Sequence, residues 1–380
     1  MSKSSLERLQ VSDLVSHWLN GRPLIDVRAP IEYQQGHLPF SINLPLLNDT
    51  ERSEVGTTYK KKGREAAIFL GHQIVSGELK QKRLESWKLF IHQNPDAIIY
   101  CFRGGLRSQT VQAWLNNEGI QRPLLAGGYK EARKFLQNNL DQYCNAHRFL
   151  VISGRTGSHK TIFLKKLSAH NYPIIDLEEL AHHRGSAFGA FRTPQPSQAD
   201  FENRLSLEFI KKTQTSSLGT SPQTVAIEDE SRMIGKIVQP ESLFTSLRSS
   251  PLIFLDEPLE SRVQNILDDY VKAPLESAAL TKDISEFHLN VREVFSQLKL
   301  AVQNISKKLG GLHTSEILNT LNESEKLYMS EKNLELNRKW IKNLLINYYD
   351  PLYDQSFNRR QPQVLFSGNT ATVEDYFKSL

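Results

Sequence analysis

Twice in this chain a short apolar run breaks into a glycine-containing, basic loop that opens a helix. Ala97-Ile98-Ile99-Tyr100 leads into Cys101-Phe102-Arg103-Gly104-Gly105-Leu106-Arg107-Ser108, and Phe149-Leu150-Val151-Ile152 leads into Ser153-Gly154-Arg155-Thr156-Gly157-Ser158-His159-Lys160-Thr161. A strand that passes directly into a helix belongs to a parallel sheet, because the chain must cross one face before the next strand can run the same way. Leu24-Ile25-Asp26-Val27, Pro123-Leu124-Leu125-Ala126, Pro173-Ile174-Ile175-Asp176, Thr224-Val225-Ala226-Ile227 and Pro251-Leu252-Ile253-Phe254-Leu255 keep the same rhythm. Their apolar character is continuous rather than alternating, as in strands covered on both faces. Two α/β units in succession are therefore expected, the first over residues 1–145 and the second over 146–275. Residues 276–380 read as mainly helical: Leu289, Val291, Val294, Leu298, Val302 and Ile305 recur at near-helical spacing until Gly310-Gly311 stops them. Helices are expected from Lys160 to about Ala169 and over 339–345, the latter ended by Pro351, and the polar tract Thr213 to Pro222 reads as a loop.

The cysteine loop has the makings of a reactive site. The chain has only two cysteines, Cys101 and Cys144, so a disulfide framework and an all-cysteine metal site are excluded. Backbone amides and a helix N-terminus form a cradle for an anion, and the same field favours the thiolate of a cysteine at its start. Arg103 and Arg107 add charge and a bidentate fork. Gly104 and Gly105 let the backbone turn inward, and Ser108 opens the helix beside them. Two chemistries share such a loop: atom transfer through a cysteine persulfide or perselenide, and phosphate-ester hydrolysis through a phosphocysteine. Tyr100 stands where cysteine phosphatases commonly have histidine, and the sequence offers no evident general acid.

The second loop, Gly154 to Thr161, follows a strand and opens a helix, which is the setting of a phosphate-binding P-loop. Gly154, Thr156, Gly157 and Ser158 would present amides to a diphosphate, Lys160 would neutralise its oxygens, and Thr161 would reach a metal such as magnesium if one binds. His159 replaces the usual glycine, and a Cβ there opposes a left-handed backbone. Asp176, Glu228 and Asp229 end strand-like runs, where ligands gather in open α/β sheets; Glu228 or Asp229 could hold a metal or an attacking group, and all three could equally cap helices. His183 and Arg184 sit in a polar segment read as a substrate loop, and Arg232 could meet phosphate. A His pair alone is a weak metal signal, so any metal is left unassigned.

Asp26-Val27-Arg28, Glu32-Tyr33, Gly36-His37-Leu38-Pro39 and Gly127-Gly128-Tyr129, together with the cysteine loop, resemble the rhodanese domain. That resemblance implies that Asp26 and Arg28 form a buried pair bracing loops and that His37 bonds within a turn. The loop is one residue longer than in simple sulfurtransferase rhodaneses, a wider cradle that suits a phosphate-bearing donor. A rhodanese-like domain followed directly by a P-loop NTPase-like domain and a helical C-terminal part is a rare pairing. With Asn43-Leu44-Pro45-Leu46-Leu47, Glu54-Val55-Gly56-Thr57, Gly71-His72, His183-Arg184-Gly185-Ser186, Gln198 to Glu202, Glu228-Asp229-Glu230-Ser231 and Tyr348-Tyr349-Asp350-Pro351, it resembles the tRNA 2-selenouridine synthase family. The resemblance implies a transferase acting on wobble 2-thiouridine of tRNA: geranyl diphosphate alkylates the sulfur, and selenium from selenophosphate then replaces it. Cys101 would serve the selenium step with Arg103 and Arg107 on its phosphate, and the P-loop would hold the geranyl diphosphate. Both donors are co-substrates, so no tightly bound cofactor is expected. The alternative is a rhodanese-type cysteine phosphatase or sulfurtransferase carrying a nucleotide-binding domain.

The expected partners are the tRNA anticodon region and a source of selenophosphate. The net charge of +5 permits a polyanionic partner without demanding one. Tyr348, Tyr349, Tyr353, Arg338, Lys339, Arg359 and Arg360 are candidates to meet the tRNA through stacking and phosphate contacts, whereas Trp340 reads as core. The N-terminus lacks the apolar core of a signal peptide and no apolar run approaches the roughly 20 residues of a membrane span, so a cytoplasmic protein without membrane attachment is expected.

Overall fold

The computed structural model describes residues 8–183, 194–215, 224–281 and 283–379. Its first unit comprises Met1–Tyr143 with Pro196–Thr220, and its second Cys144–Gln195 with Ser221–Leu380. Five short strands build the first unit: β1 (Arg8–Leu9), β2 (Leu24–Asp26), β3 (Ser41–Asn43), β4 (Ile98–Tyr100) and β5 (Leu124–Leu125). They lie in the order β1-β5-β4-β2-β3, every pairing parallel. Consecutive side chains leave opposite faces. Ile25, Val27, Ile99 and Cys101 therefore enter a cluster with Leu46, Leu47, Trp87 and Trp114. Leu24, Ile98 and Tyr100 enter another with Leu14, Trp18, Leu136 and Ile210.

Ile210 comes from the helix Gln198–Thr215, which belongs to the first unit although it follows the second loop in sequence. Ser206 donates to the Leu136 carbonyl at 2.7 Å, Asn203 donates to the His37 carbonyl at 2.7 Å, and Asp200 accepts the His37 amide at 2.7 Å. Thr213 to Thr215 close this helix rather than starting a loop; residues 216–223 lie outside the described residues.

Asp26 and Arg28 form the expected buried pair. The Arg28 guanidinium donates to both Asp26 oxygens at 2.6–3.0 Å and to the Gly36 carbonyl at 2.7 Å, and it lies 4.0 Å from the centre of the Tyr129 ring. Both residues are essentially inaccessible, at 0% and 2%. Removing one partner of such a pair strands the other charge. Asp26→Ala is expected to destabilise the first unit by about 3–5 kcal/mol, read from urea unfolding of the full chain by tryptophan fluorescence. A shift of less than about 1 kcal/mol would make the pair dispensable. His37 stacks on Tyr33 with ring centres 4.0 Å apart and faces the Tyr33 carbonyl at 3.3 Å, the turn role expected of it.

The second unit holds β6 (Phe149–Ser153), β7 (Ile174–Ile175), β8 (Val225–Glu228), a hairpin of β9 (Met233–Ile234) and β10 (Ile237–Val238), then β11 (Leu252–Leu255) and β12 (Val364–Gly368). The main sheet runs β12-β11-β6-β8-β7, again all parallel. The helix after the second loop spans Lys160–Ala169. Helices Ile284–Leu309, Gly311–Glu331 and Glu335–Leu344 pack their apolar faces with Val263, Leu267 and Val271 into one core that contains Trp340. Two features differ from expectation. The C-terminal part returns to the sheet through β12, and Pro351 does not end the helical path. A π-helical turn, Leu345–Tyr349, follows the helix and runs into the next one, Asp350–Arg360, of which Pro351 is the second residue; the backbone stays helical across the junction.

Candidate active site

β4 delivers Cys101 to its carboxyl end, and the helix Leu106–Asn117 starts five residues later. Cys101 is 3% exposed. Its Sγ lies 3.2 Å from the Ser108 hydroxyl, which in turn donates to the Gly105 carbonyl at 3.0 Å. The amides of Phe102, Arg103, Gly104 and Gly105 take no acceptor among the described residues, so the loop that follows Cys101 carries four free donors. The loop is clamped by the Gly127-Gly128 turn: Tyr129 N–H donates to the Cys101 carbonyl and Lys130 N–H to the Phe102 carbonyl, both at 2.9 Å. Gly128, at φ +58, passes so close that a Cβ would collide with the Cys101 carbonyl and the Gly104 amide. Gly104, at φ +62, would put a Cβ 2.7 Å from the Leu125 carbonyl, whereas Gly105 has open space around it; only the first of the pair is needed for the inward turn.

The two arginines differ. Arg103 is exposed and lies over the Phe102 ring. Arg107 is occupied by Glu32, donating to its two oxygens at 2.6 and 3.1 Å. Burial works to raise the Glu32 carboxyl, but Arg107 and then Arg52 outweigh it and hold Glu32 below the usual range. Arg107 reaches an anion only by exchanging this partner. Tyr100, in the histidine position of phosphatases, is fully buried, donates to Ser41 at 2.9 Å and accepts the Leu38 amide.

In the second unit the P-loop leaves β6 and curls into the helix at Lys160. Among the described residues, the amides of Arg155, Thr156, Gly157, His159, Lys160 and Thr161 have no acceptor, and the Lys160 ammonium lies 3.3 Å from the Gly154 carbonyl. Ser158 is 1% exposed and its hydroxyl is unpartnered. His159 occupies the left-handed region, at φ 56 and ψ 37. The side chain therefore does not forbid the backbone glycine usually supplies; it strains it by about 1–2 kcal/mol. Its Nε2 lies 3.5 Å from Asp269. Arg262 and Asn265 hold the loop from outside, donating to the Thr156 carbonyl at 3.2 Å and the Gly157 carbonyl at 2.8 Å. Arg262 is itself gripped by both oxygens of Asp350, at 2.7 and 2.8 Å.

These parts line one cavity of about 630 Å³. Its polar side is the P-loop with Asp176, Glu178, Glu179, His182, Asp229 and Glu230. Ile162, Ile266, Tyr270, Tyr349 and Leu352 supply an apolar side. Thr161 donates to Glu178 at 2.8 Å and to Glu228 at 3.2 Å, and Glu228 also accepts the Glu178 amide at 2.6 Å. Burial, followed by Asp176, Glu178 and Glu230, pushes the Glu228 carboxyl far above the usual range. Asp176 caps the helix Leu177–Ala181 through the Glu179 amide. Asp229 is held by Ser153 and, at 2.9 Å, by Arg360. Glu228 and Asp229 are thus engaged by protein donors, and among the described residues no three His, Cys, Asp or Glu side chains converge as a metal site.

Other expected residues lie elsewhere. Arg232 pairs with Glu241 and lies over Phe244, outside the cavity lining. His183 is half-buried, and burial lowers its pKa; Arg184 lies outside the described residues. Arg360 and Tyr353 turn inward to Asp229 and Ser153 rather than outward, while Lys339 and Arg359 are exposed. Trp340 is core.

A sequence profile described as "tRNA 2-selenouridine synthase AAA domain" matches residues 147–380, and one described as "Rhodanese-like domain" matches 10–134. The chain is 45% identical to the tRNA 2-selenouridine synthase of Nitrosomonas europaea, over 97% of this chain and 98% of that one. It is 42% identical to that of Bdellovibrio bacteriovorus, over 99% and 100%. The chain belongs to the tRNA 2-selenouridine synthase family.

Within this chain the sequence points to the two loops but passes over what holds them. The sequence does not mark Glu32, Arg262 and Asn265 as site residues, nor does it single out Glu178 and Glu230 among the carboxylates. The one available signal was Asp350 before Pro351, a helix start with an acidic first turn.

Proposed function

We propose that this chain converts wobble 2-thiouridine of tRNA to 2-selenouridine in two transferase steps, S-geranylation at the P-loop and selenium exchange with the help of Cys101. The observation that carries this reading is the two-sided cavity of the second unit. Unpaired amides and Lys160 suit a diphosphate, and the Ile162, Ile266, Tyr270, Tyr349 and Leu352 side suits a hydrocarbon tail. A prenyl diphosphate has both ends; its diphosphate is a leaving group that needs preorganised positive charge and donors where its charge develops. Alkylation turns the sulfur into a leaving thiol, and selenium from selenophosphate then takes its place on C2. The four unpaired amides beside Cys101 suit the phosphate of that donor, with Arg103 free to approach from solvent and Arg107 recruited from Glu32. Lys339 and Arg359 are available to tRNA phosphates. No helix among the described residues is long and apolar enough to cross a membrane, which is compatible with work on tRNA in the cytoplasm.

The test is nucleoside mass spectrometry of 2-thiouridine tRNA incubated with the full chain, adding geranyl diphosphate, selenophosphate and magnesium separately and together. S-geranyl-2-thiouridine with the first donor and 2-selenouridine with both is the expected result. Bound tRNA that yields neither product under any combination would overturn it.

A further inference from the structure

We propose that Glu230 is the general base that removes the N3 proton of the 2-thiouracil ring as its sulfur is alkylated. The inference rests on the S-geranylation step proposed above. A neutral 2-thiouracil has a proton on N3 and a thiocarbonyl at C2. When the sulfur attacks C1 of the geranyl group, a C–S bond forms and the C–O bond to diphosphate breaks. The ring becomes cationic unless the N3 proton leaves, and the neutral product has a C2=N3 double bond. The step therefore releases one proton, which moves to a carboxylate in this account, while diphosphate departs toward Lys160.

The P-loop itself consists of donors and cannot accept that proton. The carboxylates around it are mostly committed: Asp176 caps a helix, Glu178 takes the Thr161 hydroxyl, Glu228 is fully buried behind them, Asp229 is held by Arg360 and Ser153, and Asp269 lies 3.5 Å from His159. Glu179 and Glu230 also line the cavity, and Glu230 is the one that Lys160, the cation of the P-loop, acts upon. Glu230 lies two residues beyond the end of β8 on the cavity wall, its carboxylate meeting only the Ser231 amide among the hydrogen bonds described. The charged groups facing it are Lys160 from the helix after the P-loop, Glu178 from the helix Leu177–Ala181, and its neighbours Glu228 and Asp229. Burial first, with Glu178 and Asp229 adding to it against Lys160, pushes Glu230 up to about 8. A carboxylate of that basicity holds a proton from N3 far better than an ordinary one. It is ionised, and active as a base, only as pH rises through about 8.

The experiment compares kcat and KM for S-geranylation between wild type and Glu230→Gln from pH 6 to 9, with 2-thiouridine tRNA and geranyl diphosphate, and measures geranyl diphosphate binding by calorimetry. Loss of general-base help should lower kcat roughly 100-fold, flatten the rising limb and leave binding intact. Added formate should restore part of the rate to Glu230→Ala, and Glu230→Asp should keep a rising limb. A Gln variant within about threefold of wild type with the limb intact overturns the assignment; so does a variant that loses rate only through lost binding, with no formate rescue of Glu230→Ala. If wild type itself forms no S-geranyl product, the functional reading fails rather than the role of Glu230.

Discussion

Cys101→Ala is expected to stop 2-selenouridine formation while S-geranyl-2-thiouridine accumulates. The argument is positional. Cys101 directly follows β4, inside the only loop of the first unit shown to combine four unpaired amides with a nucleophile-bearing side chain, among the described residues. Its replacement removes the sulfur but no backbone donor, and the Gly127-Gly128 clamp acts on main-chain atoms that alanine keeps. Folding, tRNA binding and the P-loop should therefore survive. The measurement is nucleoside mass spectrometry with both donors present, run beside a reaction supplied with S-geranylated tRNA. Both should lack 2-selenouridine. A wild-type yield in either would remove Cys101 from the selenium step and leave the amide cradle as the operative part. The Ser108 hydroxyl lies 3.2 Å from the sulfur and can turn its proton from the Gly105 carbonyl toward it, so Ser108→Ala should slow the same step without abolishing it.

What the sequence disclosed follows from how local each signal is. β4, β6 and the helix Lys160–Ala169 were legible because an apolar run, a glycine turn and a helix lie within twenty residues, and each loop then places its own donors. β12 was not. It is a short, partly exposed edge strand whose partner β11 lies about a hundred residues earlier, and parallel pairing leaves no local mark. The helix Gln198–Thr215 shows an apolar face in sequence, but periodicity says only that a face is buried, not that it packs with the first unit. The bracing of the P-loop by Arg262, Asn265 and Asp350 is likewise a product of tertiary contact. His159 illustrates the converse: a local rule opposes histidine in a left-handed position, and the surrounding loop, fixed from outside, imposes it. In sequence the charge and fork of Arg107 mark it as an anion ligand of the cysteine loop, and only the fold reveals that Glu32 already answers its charge.

Lys160→Ala should produce the complementary defect. Lys160 is the one cation that the P-loop itself directs at the start of its helix, and its closest partner is a carbonyl at 3.3 Å, a weak contact that a diphosphate displaces at little cost. A charged hydrogen bond of this kind contributes about 1.5–3 kcal/mol, so geranyl diphosphate should bind roughly 10- to 100-fold more weakly by calorimetry. S-geranylation should fall further than binding, because the charge on the departing diphosphate is greatest in the transition state. An unchanged dissociation constant would count against the P-loop as the diphosphate site. The decisive arm supplies S-geranylated tRNA and selenophosphate. There Lys160→Ala should make 2-selenouridine at the wild-type rate, whereas Cys101→Ala should make none. If Lys160→Ala also fails with the preformed intermediate, the P-loop serves both steps, and the division of chemistry between the two units has to be abandoned.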